Sequence, residues 1–158
     1  MFEPEPSFFH DLVASSASGR GLSDISRVYL AGLLQEMVDR APDLDRPVCL
    51  RVLGPIRADR ALVLKEAGDA SLFLSGFFPE RGRRLGLAPS YYAALGRSAY
   101  GELSVRWFRR SPLGPVYGEL ARSFPLLQVT LREARESCAS GPHGTASWVE
   151  EWLLGPRG

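Results

Sequence analysis

Lysine, cysteine and histidine are scarce in this chain of 158 residues, which has one lysine (Lys65), two cysteines (Cys49 and Cys138) and two histidines (His10 and His143). Two widely separated cysteines make neither a disulfide framework nor a zinc motif, and they read as small buried hydrophobes of a protein kept in a reducing cytoplasm. Neither histidine has a cysteine or carboxylate at a metal-ligand spacing. Asp11 is adjacent to His10, but neighbouring residues of a helix point in different directions. No metal site and no cofactor is therefore expected. A strand-to-helix nucleophile elbow is missing too, which removes the usual support for a Ser-His-Asp or Cys-His arrangement. Gly82, Gly86 and the Gly114-Pro115 turn form neither a dinucleotide fingerprint nor a phosphate-binding P-loop.

Long apolar runs are also lacking, and none approaches the 18 or so residues of a membrane span. The N-terminal residues, Met1-Phe-Glu-Pro-Glu-Pro6, are acidic and proline-bearing, unlike a secretory signal. These features predict a cytoplasmic chain without a membrane span. The formal net charge of +1 supplies no global field to attract nucleic acid or an anionic surface.

What remains is ordinary globular material, 45% apolar and 23% charged, in a length that can bury about 70% of its unfolded surface without staples. We expect residues 1–6 to be a flexible tail and residues 7–158 to form a single helical domain. Helical spacing puts Phe8 and Leu12, with Phe9 and Val13, on one face of a helix over 7–17 capped by Ser7. A second helix begins at Ser23, the natural N-cap, carries Ile25, Val28, Tyr29, Leu33 and Val38 on its apolar face, and stops before Pro42. Its Ala31-Gly32 pair offers a neighbour a close approach. The run Val48–Leu53 lies between Pro47 and Pro55 and has no partner strand anywhere in the chain, so it is assigned to a short helix.

A long helix over 58–78 ends at Pro79, a connection rich in arginine and glycine covers 79–89, and Pro89 or Ser90 opens a helix to about Phe108. Ala93, Gly96, Tyr100, Leu103 and Trp107 share one face of that helix. Two further helices, over 116–124 and 126–138, are separated or kinked at Pro125, the second ending in solvated charges, and a last one over 145–154 carries Trp148 and Trp152. The fold class is all-α, an irregular or orthogonal bundle of about six or seven helices. Gly68, Gly76, Gly96 and Gly101 fall inside helices, where each costs up to about 1 kcal/mol, and are expected at close helix crossings.

Three functional readings compete. Eighteen of the nineteen basic residues are arginine, and between Glu80 and Arg110 seven arginines face two glutamates, a local excess of five positive charges. Arg81, Arg83 and Arg84 precede the helix over 89–108, and Arg106, Trp107, Arg109 and Arg110 finish it. These seven residues are the candidate partner-binding surface of a non-enzymatic interaction or regulatory domain, with another protein as partner. The basic C-terminal cluster also complements the helix dipole without any ligand. The second reading is a small-molecule binder or enzyme with a pocket formed by Asp69, Tyr91, Tyr92 and Tyr100. Asp69 lacks a second carboxylate or a histidine at helical spacing, which favours a buried tie to tyrosine over acid–base chemistry. The third is nucleic-acid binding through the arginine clusters, with Trp107 and Phe108 interleaved, a reading that the near-neutral total charge disfavours. A homodimer through exposed aromatics of the last helix is a further possibility.

The pattern Gly68-Asp-x-x-Leu-Phe-x-x-Gly-Phe-Phe78, followed by Tyr91-Tyr-x-x-Leu-Gly-x-x-Ala-Tyr100 and an apolar helix with Phe124, resembles a family of bacterial all-helical proteins. The likeness spans about residues 23–154. It implies a helical fold and carries no activity.

Overall fold

The computed structural model describes residues 6–40, 59–84 and 88–139. Helices α1 (Pro6–Ser16), α2 (Asp24–Arg40) and α3 (Arg60–Leu72) lead into a π-helical turn (Phe73–Phe77). They are followed by α4 (Pro79–Arg84), α5 (Pro89–Trp107), α6 (Gly114–Arg122) and α7 (Phe124–Ala139). The fold is an all-α bundle, with no strand among the described residues. The expected helices over 48–53 and 145–154, with Trp148 and Trp152, lie outside the described residues, as does the tail before Pro6.

The bundle is organised around α3, the π turn and α5. Every residue from Ala67 to Phe78 is buried, so this segment is surrounded on all sides. The chain enters it at Asp59, whose carboxylate caps α3 by accepting from the Ala61 amide at 3.0 Å. It leaves through the Phe78 amide, which donates to the Phe73 carbonyl at 2.9 Å and closes a five-residue turn. That wider turn lets Phe73, Phe77 and Phe78 meet one another, with ring centroids 4.9–5.6 Å apart. It also brings Gly76 against α7, where an added Cβ would stand 3.0 Å from the Leu131 Cβ.

Helices α3 and α5 run antiparallel and pack closely through a glycine on each. A Cβ on Gly68 would stand 2.6 Å from Tyr100 Cδ1, and one on Gly96 would stand 3.1 Å from the Ser71 Cβ of α3 and 2.6 Å from Phe124 Cε2 of α7. Gly101 is different: among the described residues nothing lies within 4 Å of its Cβ position, so none of them makes the expected close crossing there. Gly32 likewise meets no neighbour among the described residues.

Other expectations are corrected by tertiary packing. In α2 the buried face is Ser26, Leu30, Ala31, Leu33, Leu34 and Met37, while Ile25 (59% exposed) and Val28 (57%) face solvent. That helix is apolar on most of its circumference, so sequence spacing alone admits more than one face. Residues 79–84 are helical instead of a connection, since Pro79 suits a first helical position as well as a stop. Helix α1 starts at Pro6, which places Ser7 within its first turn. Pro125 restarts the chain as the second residue of α7. The charges near the end of α7 are ties between elements as well as solvated groups: Arg20 pairs with Glu133, and Arg135 pairs with Glu80, donates to the Phe77 carbonyl at 3.2 Å and lies over the Phe78 ring.

Candidate functional site

Two places in the bundle concentrate chemistry: a buried carboxylate at its centre and an arginine-lined groove at one end.

The carboxylate is Asp69, on the α3 face turned toward α5. Its Oδ1 accepts from the Tyr29 hydroxyl at 2.6 Å and from the Tyr100 hydroxyl at 2.7 Å, and Lys65 donates to Oδ2 at 2.7 Å from one helical turn earlier. Tyr29 also reaches the Tyr117 hydroxyl at 3.4 Å, and Lys65 lies 3.5 Å from Glu36. Two helices besides α3, namely α2 and α5, therefore reach this one side chain, and α6 joins them through the Tyr29 hydroxyl. Only 3% of the Asp69 side chain is exposed. Burial pushes its carboxyl above the ordinary 3.8, while Lys65, Tyr100 and Tyr29 pull it back. Burial works to lower Lys65, but the adjacent Asp69 and Glu36 prevail and raise it. Burial raises Tyr29 and Tyr100 well above 10.0, with the Asp69 charge acting in the same direction.

Of the four residues expected to line a pocket, Asp69 and Tyr100 are brought together and the other two are not. Tyr92 is fully buried, its ring beside Gly82 of α4, and Tyr91 sits 5.7 Å from Tyr92 at the surface. Tyr29, Lys65 and Tyr117 complete the cluster, and none was expected there. One of them had a readable signal: Lys65 is the only lysine and stands four residues before Asp69, the spacing of a helical ion pair. Both Asp69 oxygens already hold donors, so a ligand reaches this carboxylate only by displacing a tyrosine or the lysine.

The groove lies where α3 begins and α5 ends. A broadly open cavity of about 630 Å³ is lined by the cap residue Asp59, by Arg60 and Ala61 of α3, and by the continuous run from Val105 to Ser111. Arg106, Trp107, Arg109 and Arg110 are thus gathered as one surface, joined by Arg60 from a distant part of the sequence. Glu102 stands behind it, 3.6 Å from Arg60 and 3.2 Å from Arg106. Arg109 lies over the Phe108 ring at 5.9 Å. Trp107 turns inward, edge-on to Tyr117 at 5.6 Å, whereas Val105 (77% exposed) and Phe108 (64%) present apolar surface to solvent.

The shape of this corner is set by the backbone. The amides of Arg110 and Ser111 donate to the Trp107 carbonyl at 3.1 and 3.2 Å, and Gly114 packs on that same carbonyl, where an added Cβ would stand 2.6 Å from its oxygen. The polypeptide consequently folds back immediately after α5 and leaves Phe108–Arg110 projecting at the rim.

The second arginine cluster is elsewhere. Arg81, Arg83 and Arg84 belong to α4, which packs beside Tyr92 at the start of α5, and the 19 residues of α5 put about 28 Å between its ends. Arg83 is exposed and reaches the Pro79 carbonyl at 3.4 Å. Among the described residues no group of three His, Cys, Asp or Glu side chains is placed to hold a metal ion, and no helix is long and apolar enough to cross a membrane. The chain matches no protein-family model, and none of the curated proteins or solved structures compared with it is similar.

Proposed function

We propose that this chain is a non-enzymatic interaction or regulatory domain that docks another protein in the groove between the start of α3 and the end of α5. One observation carries the reading: arginines 60, 106, 109 and 110 converge on a cavity whose wall also exposes Val105 and Phe108. A surface that combines arginine with exposed aromatic and aliphatic side chains has the composition of a protein-binding hot spot, and its concavity gives a partner side chains to bury. Asp69 supports a structural role in the same reading, because its donors are internal and its carboxylate is sealed from solvent. The cytoplasm is the compartment this reading implies for a chain with only two cysteines.

The test is a photo-cross-linking side chain placed at Val105 in native cells, with the same side chain at exposed Ile25 of α2 as reference. The expected result is a Val105-specific adduct whose protein, once identified and purified, binds the domain and binds the Arg109→Glu/Arg110→Glu variant at least about tenfold more weakly. Identical adducts from both positions, or a purified partner indifferent to the double substitution, would refute the assignment.

A further inference from the structure

We infer that the segment received by this groove is a short acidic peptide stretch of the partner, with two carboxylates meeting Arg109 and Arg110 and an apolar side chain lying on Val105 and Phe108. The inference rests on the interaction reading above and specifies the chemistry of its occupant. Charge balance across the groove supplies the argument. Four arginines line or border it, and two of them, Arg60 and Arg106, already share Glu102. Asp59 is engaged as the cap of α3 through the Ala61 amide. Arg109 and Arg110 are exposed and lie on the rim, and no carboxylate among the described residues comes within salt-bridge distance of either. Complementation therefore calls for negative charge on the incoming chain at the rim, while the floor is already neutralised.

The same balance selects among anions. A doubly charged phosphate driven toward the start of α3 would meet the Asp59 carboxylate, which already occupies the first-turn amide that a phosphate would use. Single carboxylates spread along the rim avoid that repulsion and still reach a planar guanidinium with two oxygens. A nucleic-acid strand is disfavoured for a related reason, since Asp59 and Glu102 stand among the basic groups and the whole chain carries only +1. The cavity of about 630 Å³ is within the usual range for a ligand-sized occupant, which suits a short segment better than a folded face. Phe108 with Arg109 stacked on it offers an apolar ledge beside the charge, so alternating acidic and apolar residues in an extended segment would place like side chains on the same side.

Fluorescence anisotropy with the full chain tests this directly. The probe is a fluorescein-labelled peptide of repeated Glu-Leu-Glu-Phe, compared with its Gln-Leu-Gln-Phe counterpart, a phosphoserine-for-glutamate counterpart and an oligothymidylate. We expect the glutamate peptide to bind about tenfold or more tightly than the glutamine peptide, to weaken with added salt, and to lose that advantage in Arg109→Gln/Arg110→Gln but not in Arg83→Gln/Arg97→Gln. Equal binding of the glutamine peptide would overturn the acidic occupant while leaving an apolar docking groove in place. Preference for the phosphoserine peptide would overturn the carboxylate assignment. Preference for oligothymidylate would overturn both the acidic peptide and the protein partner. Absence of binding by all four probes would also overturn this inference, and the Val105 adduct would then decide the broader reading by itself.

Discussion

Replacing Lys65 with methionine should destabilise the bundle by about 3 kcal/mol at neutral pH. Deleting one partner of a buried ion pair generally costs roughly 3–5 kcal/mol, because the remaining charge is stranded. Here the stranded group would be Asp69, with 3% of its side chain exposed, although its two phenol donors persist. Lys65 is itself 27% exposed, so water recovers part of the loss, which places the cost at the low end of the range. Asp69→Asn removes the charge and keeps an acceptor for Tyr29 and Tyr100. In that background the same Lys65→Met change should cost no more than about 1 kcal/mol, mostly the half-exposed Glu36 pair and side-chain packing. The double-mutant cycle should therefore return a coupling of about 2 kcal/mol.

The pH dependence gives a second signature. Asp69 titrates above 3.8 in the fold, so the stability tied to its protonated form is complete below about 3.8 and is lost as the pH rises through the folded value. Without Lys65 that value climbs further, and the deficit of Lys65→Met should be small in acid and grow toward neutrality. Urea unfolding followed by far-UV circular dichroism measures both signatures. Equal costs of Lys65→Met in the two backgrounds, or a deficit that does not shrink in acid, would refute the account of Asp69 as a carboxylate dependent on its lysine.

Two further outcomes follow from the same centre. Gly68→Ala gains up to about 1 kcal/mol of helix propensity but drives a methyl into the Tyr100 ring, a clash of about 1–3 kcal/mol, so it should destabilise, whereas Gly101→Ala, with nothing within 4 Å among the described residues, should stabilise by about 0.5–1 kcal/mol. Urea midpoints moving in the same direction for the two variants would contradict the packing described for α3 and α5. Tyr29 and Tyr100 are held well above 10.0, chiefly by burial, so their contribution is complete below about pH 10 and is lost as the pH rises toward their folded values, at roughly 1 kcal/mol per pH unit each. Tyr29→Phe should flatten that alkaline slope, and phenolate absorbance should show these tyrosines ionising together with unfolding.

The helices were legible because their ends carry their own chemistry. Ser23 accepts from the Ser26 amide at 3.2 Å as the cap of α2, Pro79 follows the non-helical Phe78, and Pro89 opens α5. The π turn left no such mark, since one extra residue in a turn is invisible in a segment apolar on every side. The face chosen by α2 depended on α1, α6 and the π turn, so Ile25 and Val28 could satisfy helical spacing and still be exposed. Asp69 as a tie was readable from its lack of catalytic company. Tyr100 was readable as one of its donors, whereas Tyr29 was not, because it lies 40 residues away on another helix and only the tertiary fold brings it to the same oxygen. Three of the four groove arginines were readable as the run from Arg106 to Arg110, while Arg60 joins them only through the antiparallel pairing of α3 with α5.

The solitary lysine has a practical consequence for handling the protein. Amine-directed reagents, whether acylating dyes, bifunctional cross-linkers or activated surfaces, find only one side-chain amine in this sequence. That amine is the cation seated on Asp69. Coupling through it would neutralise the charge that the buried carboxylate needs, so a labelled population would be selected for molecules already loosened at their centre. Attachment through a rim residue such as Ser111, exchanged for cysteine, leaves that ion pair intact but touches the groove. Exposed Ile25 on α2 is the position that spares both.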